Sequence, residues 1–243
     1  SFPSISFVPV ARHRTGDIVP PDRTVERYPS LATCLNDAAV EQGRRADVVF
    51  TTLEALGEFR RTRDDFIRHP SRLVALPLAL PPSSLPRVGL VWRSILRSPQ
   101  RNVHYIQPAD FEALAGVDAE FWCLQARAEP DELDTLRAVF PDIRLPELDL
   151  VDDLEGQASL IANLDAVVSP LTTTAELSGI LGTTTLILSR TRSTAWRRNP
   201  DGSDVWYPQA RLMIGTPTGD TPSMMKAVAR QLAPLTSVTT HAP

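Results

Sequence analysis

From Val88 to Leu232 short apolar runs alternate with stretches of helical apolar spacing, and this alternation restricts the fold more than any other feature of the chain. The pattern predicts strands over 88–92, 120–124, 143–145, 166–169 and 185–188. It predicts helices over 108–115, 130–139, 154–163, 173–181 and about 222–232. Strand and helix in turn read as βαβ units, which require a parallel sheet with helices on both faces. Ligands of such sheets bind outside the carboxyl ends of the strands, so the loops after each strand are the first candidates for a site.

Upstream of Val88 the pattern is less regular. The cluster Pro77 to Pro86 (PLALPPSSLP) predicts a domain boundary, dividing the chain into 1–85 and 86–243. In the first part, 5–10 and 47–51 read as short strands and Leu53 to His69 as a helix that stops at Pro70. The stretch from Arg12 to Pro29 is polar and proline-broken, and reads as a long surface loop.

The 243 residues suffice for one large domain or two small ones, and 42% hydrophobic with 22% charged residues excludes a disordered chain or a coiled coil. A net charge of −4 excludes a nucleic-acid binder driven by counterion release, so any anion site must be local. Of the 25 basic residues only Lys226 is lysine, which a biased genomic base composition explains better than a selected use of arginine for planar, forked contacts with anions. Cys34 and Cys123 have no CxxC spacing and no histidine cluster, which argues against a disulfide framework or a zinc site and for a reducing, cytoplasmic compartment. The longest apolar stretch, Leu73 to Leu80, is interrupted by Pro77 and falls far short of the roughly 20 residues that span a bilayer. The start, Ser1-Phe2-Pro3, lacks both an initiator methionine and a signal pattern, and predicts a partial chain.

Three loops carry the candidate chemistry. In Asp165 to Gly182 a buried strand feeds through Ser169, Pro170, Leu171, Thr172, Thr173 and Thr174 into a helix. Thr172 or Thr173 can cap that helix, and its free N–H groups with the positive end of the dipole suit a phosphate or diphosphate. Gly179 and Gly182 are expected to allow close helix-on-strand packing and a left-handed stop before Thr183. The loop after strand 88–92 holds Arg93, Ser94, Arg97, Arg101, His104 and Tyr105. Arginine there suits bidentate phosphate recognition, and His104 suits a leaving diphosphate or a sugar hydroxyl. A third cluster, Arg190 to Arg198, follows strand 185–188 on the same rim. Trp122 and Cys123 read as core. Trp196 and Trp206 either stack on a base or pin their loops, and His13, His69 and His241 show no ligand spacing.

The runs VGLVWRS, RNVHY, LDLVDDLEGQASLIANLDAVVS, the threonine turn with AELSGILG, and WYP at 206–208 together resemble the C-terminal half of heptosyltransferase-type (family 9) glycosyltransferases. They are similar above all to bacterial proteins in which this half follows tetratricopeptide repeats and which resemble protein O-glycosyltransferases. The resemblance covers about residues 86–215, and residues 1–12 look like a strand from within an N-terminal half. It implies an α/β, GT-B-like fold: a Rossmann-like parallel sheet in the C-terminal half and a partial α/β N-terminal half on the acceptor side. It implies a nucleotide-sugar donor as substrate, with no separate cofactor and no metal, and an acceptor protein or glycan, flagellin-like hydroxyls among them. By position, the donor-binding residues would be Arg93, Ser94, Arg101, His104, Tyr105, Ser169, Thr172, Thr173 and Thr174, while Asp152 and Asp153 match the family's DD, as caps or ligand contacts.

Two positions depart from the family pattern. Leu171-Thr172 stands where Asp-Thr is usual and Glu176 where histidine is usual, which resembles instead the threonine-rich turn of O-GlcNAc transferases. No catalytic base is assigned: Asp17, Asp22, Glu26 and Asp37 sit in no motif. Two rivals stay open, a non-catalytic nucleotide-binding or scaffolding domain and a nucleotide-sugar epimerase.

Overall fold

A computed structural model describes residues 37–50, 52–67, 73–215 and 220–238. Contacts divide the chain into two compact units, 1–61 and 62–243. The described part of the first holds α1 (Asp37–Arg45) and α2 (Thr52–Phe59). The expected strand at 47–51 is not formed over 47–50, where Val48 and Phe50 are exposed rather than laid against a sheet. The strand expected at 5–10 and the loop expected at 12–29 lie outside the described residues, as do Cys34 and the three histidines other than His104.

The second unit opens with α3 (Asp64–Ile67). The helix expected over 53–69 is therefore interrupted, because Thr62 starts a new turn. Its N–H and hydroxyl both donate to the Asp65 carboxylate, at 2.8 and 2.9 Å. Residues 73–85 run without regular structure against this unit: the Leu73 N–H donates to Ile180 O at 3.3 Å, and Leu78 and Leu80 pack into its core.

Five strands follow: β1 (Arg87–Leu90), β2 (Glu120–Cys123), β3 (Ala166–Pro170), β4 (Thr184–Ser189) and β5 (Ala210–Ile214). All pairings are parallel, in the order β2-β1-β3-β4-β5. The helices are α4 (Pro99–Asn102), α5 (Pro130–Val139), α6 (Leu154–Ile161), α7 (Thr173–Leu181) and α8 (Thr221–Val238), with 3-10 turns at Pro108–Leu114 and Arg192–Arg197. The expected helix at 108–115 is thus a 3-10 helix. The strand expected at 143–145 is a single bridge from Arg144 to Trp122, since Pro141 and Pro146 flank it closely. The last helix is longer than expected, and β5 was not anticipated: Arg211 interrupts its apolar run.

Alternating side chains sort the sheet into two faces, as a two-residue period demands. Val88, Leu90, Ala166, Val168, Leu186 and Leu188 meet α5, α8 and the 108–114 turn. Val167 faces the other way, with Leu160 and Ile161 of α6 and Leu177 of α7. Trp122 and Cys123 are buried, as read from the sequence. Gly182 closes α7 in the left-handed region at φ 84°, and the Thr183 N–H reaches back to Ser178 O at 3.1 Å. Strand order reverses between β1 and β3, so the chain leaves these neighbouring strands in opposite directions and a crevice opens at their carboxyl ends.

Candidate active site at the strand switch point

The crevice is present as a cleft of about 250 Å³. Its walls come from Arg93–Leu96 after β1, Leu124–Ala126 after β2, Leu150, Val151, Asp153 and Leu154 with Gln157 at α6, and Thr172–Thr174 at the start of α7. Of the residues singled out in the sequence, Arg93, Ser94, Thr172, Thr173 and Thr174 line it. Ser169 is fully buried behind the turn. Arg101, His104 and Tyr105 are not among its lining. Arg101 is exposed on α4, His104 Nδ1 lies 3.2 Å from Thr191 Oγ1, and the Tyr105 hydroxyl donates to Leu96 O at 3.1 Å. Arg190 reaches the Tyr105 carbonyl at 2.9 Å, so the first and third loops are tied to each other beside the cleft.

The threonine turn leaves a helix end open. Thr172 is the N-cap of α7, yet its side chain makes no capping bond. It lies 3.0 Å from Ser169 Oγ, which itself donates to Pro170 O at 2.7 Å. With the serine proton committed to that carbonyl, Thr172 must donate to serine, and its hydroxyl proton is not free for a ligand. What α7 offers the cleft is its first-turn N–H groups and the hydroxyls of Thr173 and Thr174, which have no protein partner among the described residues.

Arg93 is held rather than free. Nε and Nη2 bind Glu132 at 2.6 and 2.5 Å, and Nη2 also donates to Arg127 O at 3.0 Å. Arg127 occupies the left-handed region, φ 50°, which turns its carbonyl onto the guanidinium. Glu132 is placed by α5: at the third helical position it also accepts the Glu129 N–H at 2.9 Å, one arm of a capping box. Burial pushes the Glu132 carboxyl up, but the bonds from Arg93 and Glu129 outweigh it and hold it below the usual range. Sequence reading missed Glu132; its signal was the Glu-Pro-x-Glu start of α5. Gln125 fixes the floor, its carbonyl accepting both the Trp92 and Arg93 N–H groups at 3.1 and 3.0 Å.

Asp153 lines the cleft but caps α6, accepting the Gly156 N–H at 2.8 Å. Glu176 turns away to Arg197 at 2.6 Å, and Arg197 also binds fully buried Asp204 at 2.8 Å. Burial and the Glu176 charge push the Tyr207 phenol far above its ordinary value. The Tyr207 ring lies directly on Gly179, so this glycine admits a ring and not, as expected, a strand. Trp206 packs edge-on against Phe66, centroids 4.5 Å apart, and pins its loop. Among the described residues no group of three or more His, Cys, Asp or Glu is placed to hold a metal, and no helix is long and apolar enough to cross a membrane.

No family model and no curated protein matches the chain. Among solved structures it is similar to the E. coli heptosyltransferase WaaC with ADP, at 13% identity over 71% of this chain and 48% of that one, TM-score 0.45. It is similar to a Listeria monocytogenes structure described as a UDP-N-acetylglucosamine 2-epimerase, at 14% identity over 84% and 45%, TM-score 0.41. A glycosyl transferase family 9 structure from Veillonella parvula is similar at 9% identity over 90% and 61%, TM-score 0.38. The chain spans less than half the length of the first two structures.

Proposed function

We propose that this chain is the donor-binding half, with part of the acceptor half, of a GT-B glycosyltransferase that moves a sugar from a nucleotide donor to an acceptor hydroxyl. The observation that carries this reading is the open N-terminus of α7 facing a cleft at the switch point of a parallel sheet. The leaving phosphate would sit on the first-turn N–H groups and the Thr173 and Thr174 hydroxyls. These donors are fixed before the bond breaks and stabilise the charge that develops on the leaving oxygen. Arg93, clamped by Glu132, shapes the rim beside them. In this scheme the reaction inverts the anomeric centre and uses no metal. The acceptor is a protein serine or threonine, and the base that deprotonates it comes from outside this cleft.

Titration calorimetry with UDP, GDP, ADP and CMP, with and without EDTA, tests the first step. Binding of at least one nucleotide, unchanged by EDTA, is the expected result. Silence with all four on folded protein would abandon the reading. A second reading, a nucleotide-binding module without chemistry, is favoured by one observation: the lining carboxylate, Asp153, is used as a cap. Binding without transfer to any acceptor or to water, in the full-length protein, would decide for it.

A further inference from the structure

The cleft has an apolar side as well as the α7 end. Val91, Leu124, Leu150, Val151 and Leu154 line it, and with them Gln157 of α6. Gln157 is 5% exposed. Its amide nitrogen donates to Leu150 O at 3.3 Å, which fixes the amide's orientation, because the flipped form would set two carbonyl oxygens against each other. Oε1 accepts no hydrogen bond among the described residues, and it is not among the side-chain atoms sealed from solvent. A nearly buried amide in the cleft wall therefore keeps one unused acceptor beside these apolar residues.

We infer that Gln157 reads the base of the bound nucleotide, its carbonyl accepting a hydrogen bond from a ring or exocyclic N–H of the heterocycle. The inference rests on the nucleotide reading above and assigns this part of the cleft within it. A planar heterocycle fits between aliphatic side chains, and its N–H edge would otherwise lose its water without replacement. A site built to bond such a group discriminates strongly against ligands that lack it. A phosphate on α7 has no use for this acceptor. A carboxylate or sulfate would be repelled by it.

The test compares two probes on wild type, Gln157→Met and Gln157→Asn. The probes are the tightest-binding nucleotide of the four and inorganic pyrophosphate. Methionine keeps the length and removes the acceptor; asparagine keeps the amide and withdraws it. Both variants are expected to lose about tenfold or more in nucleotide affinity while pyrophosphate affinity stays within twofold of wild type, roughly the noise of the measurement. An N-methylated analogue of the preferred base should bind wild type as weakly as the parent nucleotide binds the methionine variant. Equal losses for nucleotide and pyrophosphate, or no loss in a folded variant, would overturn the assignment while leaving the nucleotide reading intact. Wild type that binds no nucleotide overturns both.

Discussion

Arg93 and Glu132 meet in a two-pronged pair, Nε to Oε1 at 2.6 Å and Nη2 to Oε2 at 2.5 Å, with 7% and 11% of their side chains exposed. The pair decides what charge the cleft presents. A lone guanidinium on this wall would attract any anion; with its charge answered by α5, what the cleft leaves open is the first turn of α7.

Glu132→Gln should therefore move stability and binding in opposite directions. Leaving Arg93 buried and unanswered is expected to cost about 3 kcal/mol in urea unfolding near pH 7, while pyrophosphate affinity rises. The carboxyl sits below its usual range in the folded protein, so its stabilisation is complete above the unfolded value of about 4.3. It is lost as pH falls through the lower folded value. The gap between wild type and the variant should narrow over that acid window, and a gap that stays constant there would contradict the assignment.

Thr173 separates helix stability from ligand binding. It is the first residue of α7, where proline is well tolerated, and Thr172 before it is extended at φ −127°, ψ 173°, the conformation a following proline requires. Thr173→Pro should leave unfolding within about 1 kcal/mol of wild type. It removes one N–H and one hydroxyl from the proposed anion site, which should weaken phosphate binding about tenfold or more. Thr173→Glu should favour the helix dipole by roughly 0.3–1 kcal/mol and still weaken the same ligand. Unchanged affinity in both variants would remove α7 from the site.

The elements legible in the sequence were those whose burial has a clear period. Thr173 to Leu181 was read to the residue because a hydroxyl turn precedes it and Gly182 ends it; Ala166 to Pro170 was plain because all of it is buried. β5 was hidden because edge position lets Arg211 face outward, and 143–145 misled because three apolar-flanked residues cannot distinguish a strand from one bridge. At the site, the threonine turn was visible because local chain order makes it. The partners that set Arg93 and Gln157 were not: Glu132 lies 39 positions from Arg93, and the bond that orients Gln157 is to a backbone carbonyl. Arg101 follows Arg93 in the same loop, but it sits on a short helix begun by Pro99 and is not among the cleft lining.

Cys123 offers a readout of opening in the sheet. It is 3% exposed, and burial, reinforced by the Glu132 charge and opposed by the Gln125 N–H and the Arg137 charge, pushes its thiol up to about 11. At pH 8 only about one molecule in a thousand carries the thiolate that reacts. In a Cys34→Ser background, labelling by a thiol reagent should track unfolding and accelerate in urea. Rapid stoichiometric labelling of the native protein would contradict this burial.

Gly179 and Tyr207 join α7 to the loop after the 192–197 turn. A Cβ on Gly179 would fall against Cγ and Cδ2 of the ring, whose backbone Asp204 holds by accepting the Tyr207 N–H at 3.2 Å. Gly179→Ala is therefore expected to destabilise by about 1–3 kcal/mol, as overpacking does. Tyr207→Ala alone should also destabilise, by leaving a hole over α7. The two together should cost less than their sum, because each removes the other's conflict. Strict additivity in chemical denaturation would mean that ring and glycine do not touch. Nucleotide affinity gives an independent check, since a displaced α7 carries its open N-terminus with it, and Gly179→Ala should weaken binding where the double variant restores it.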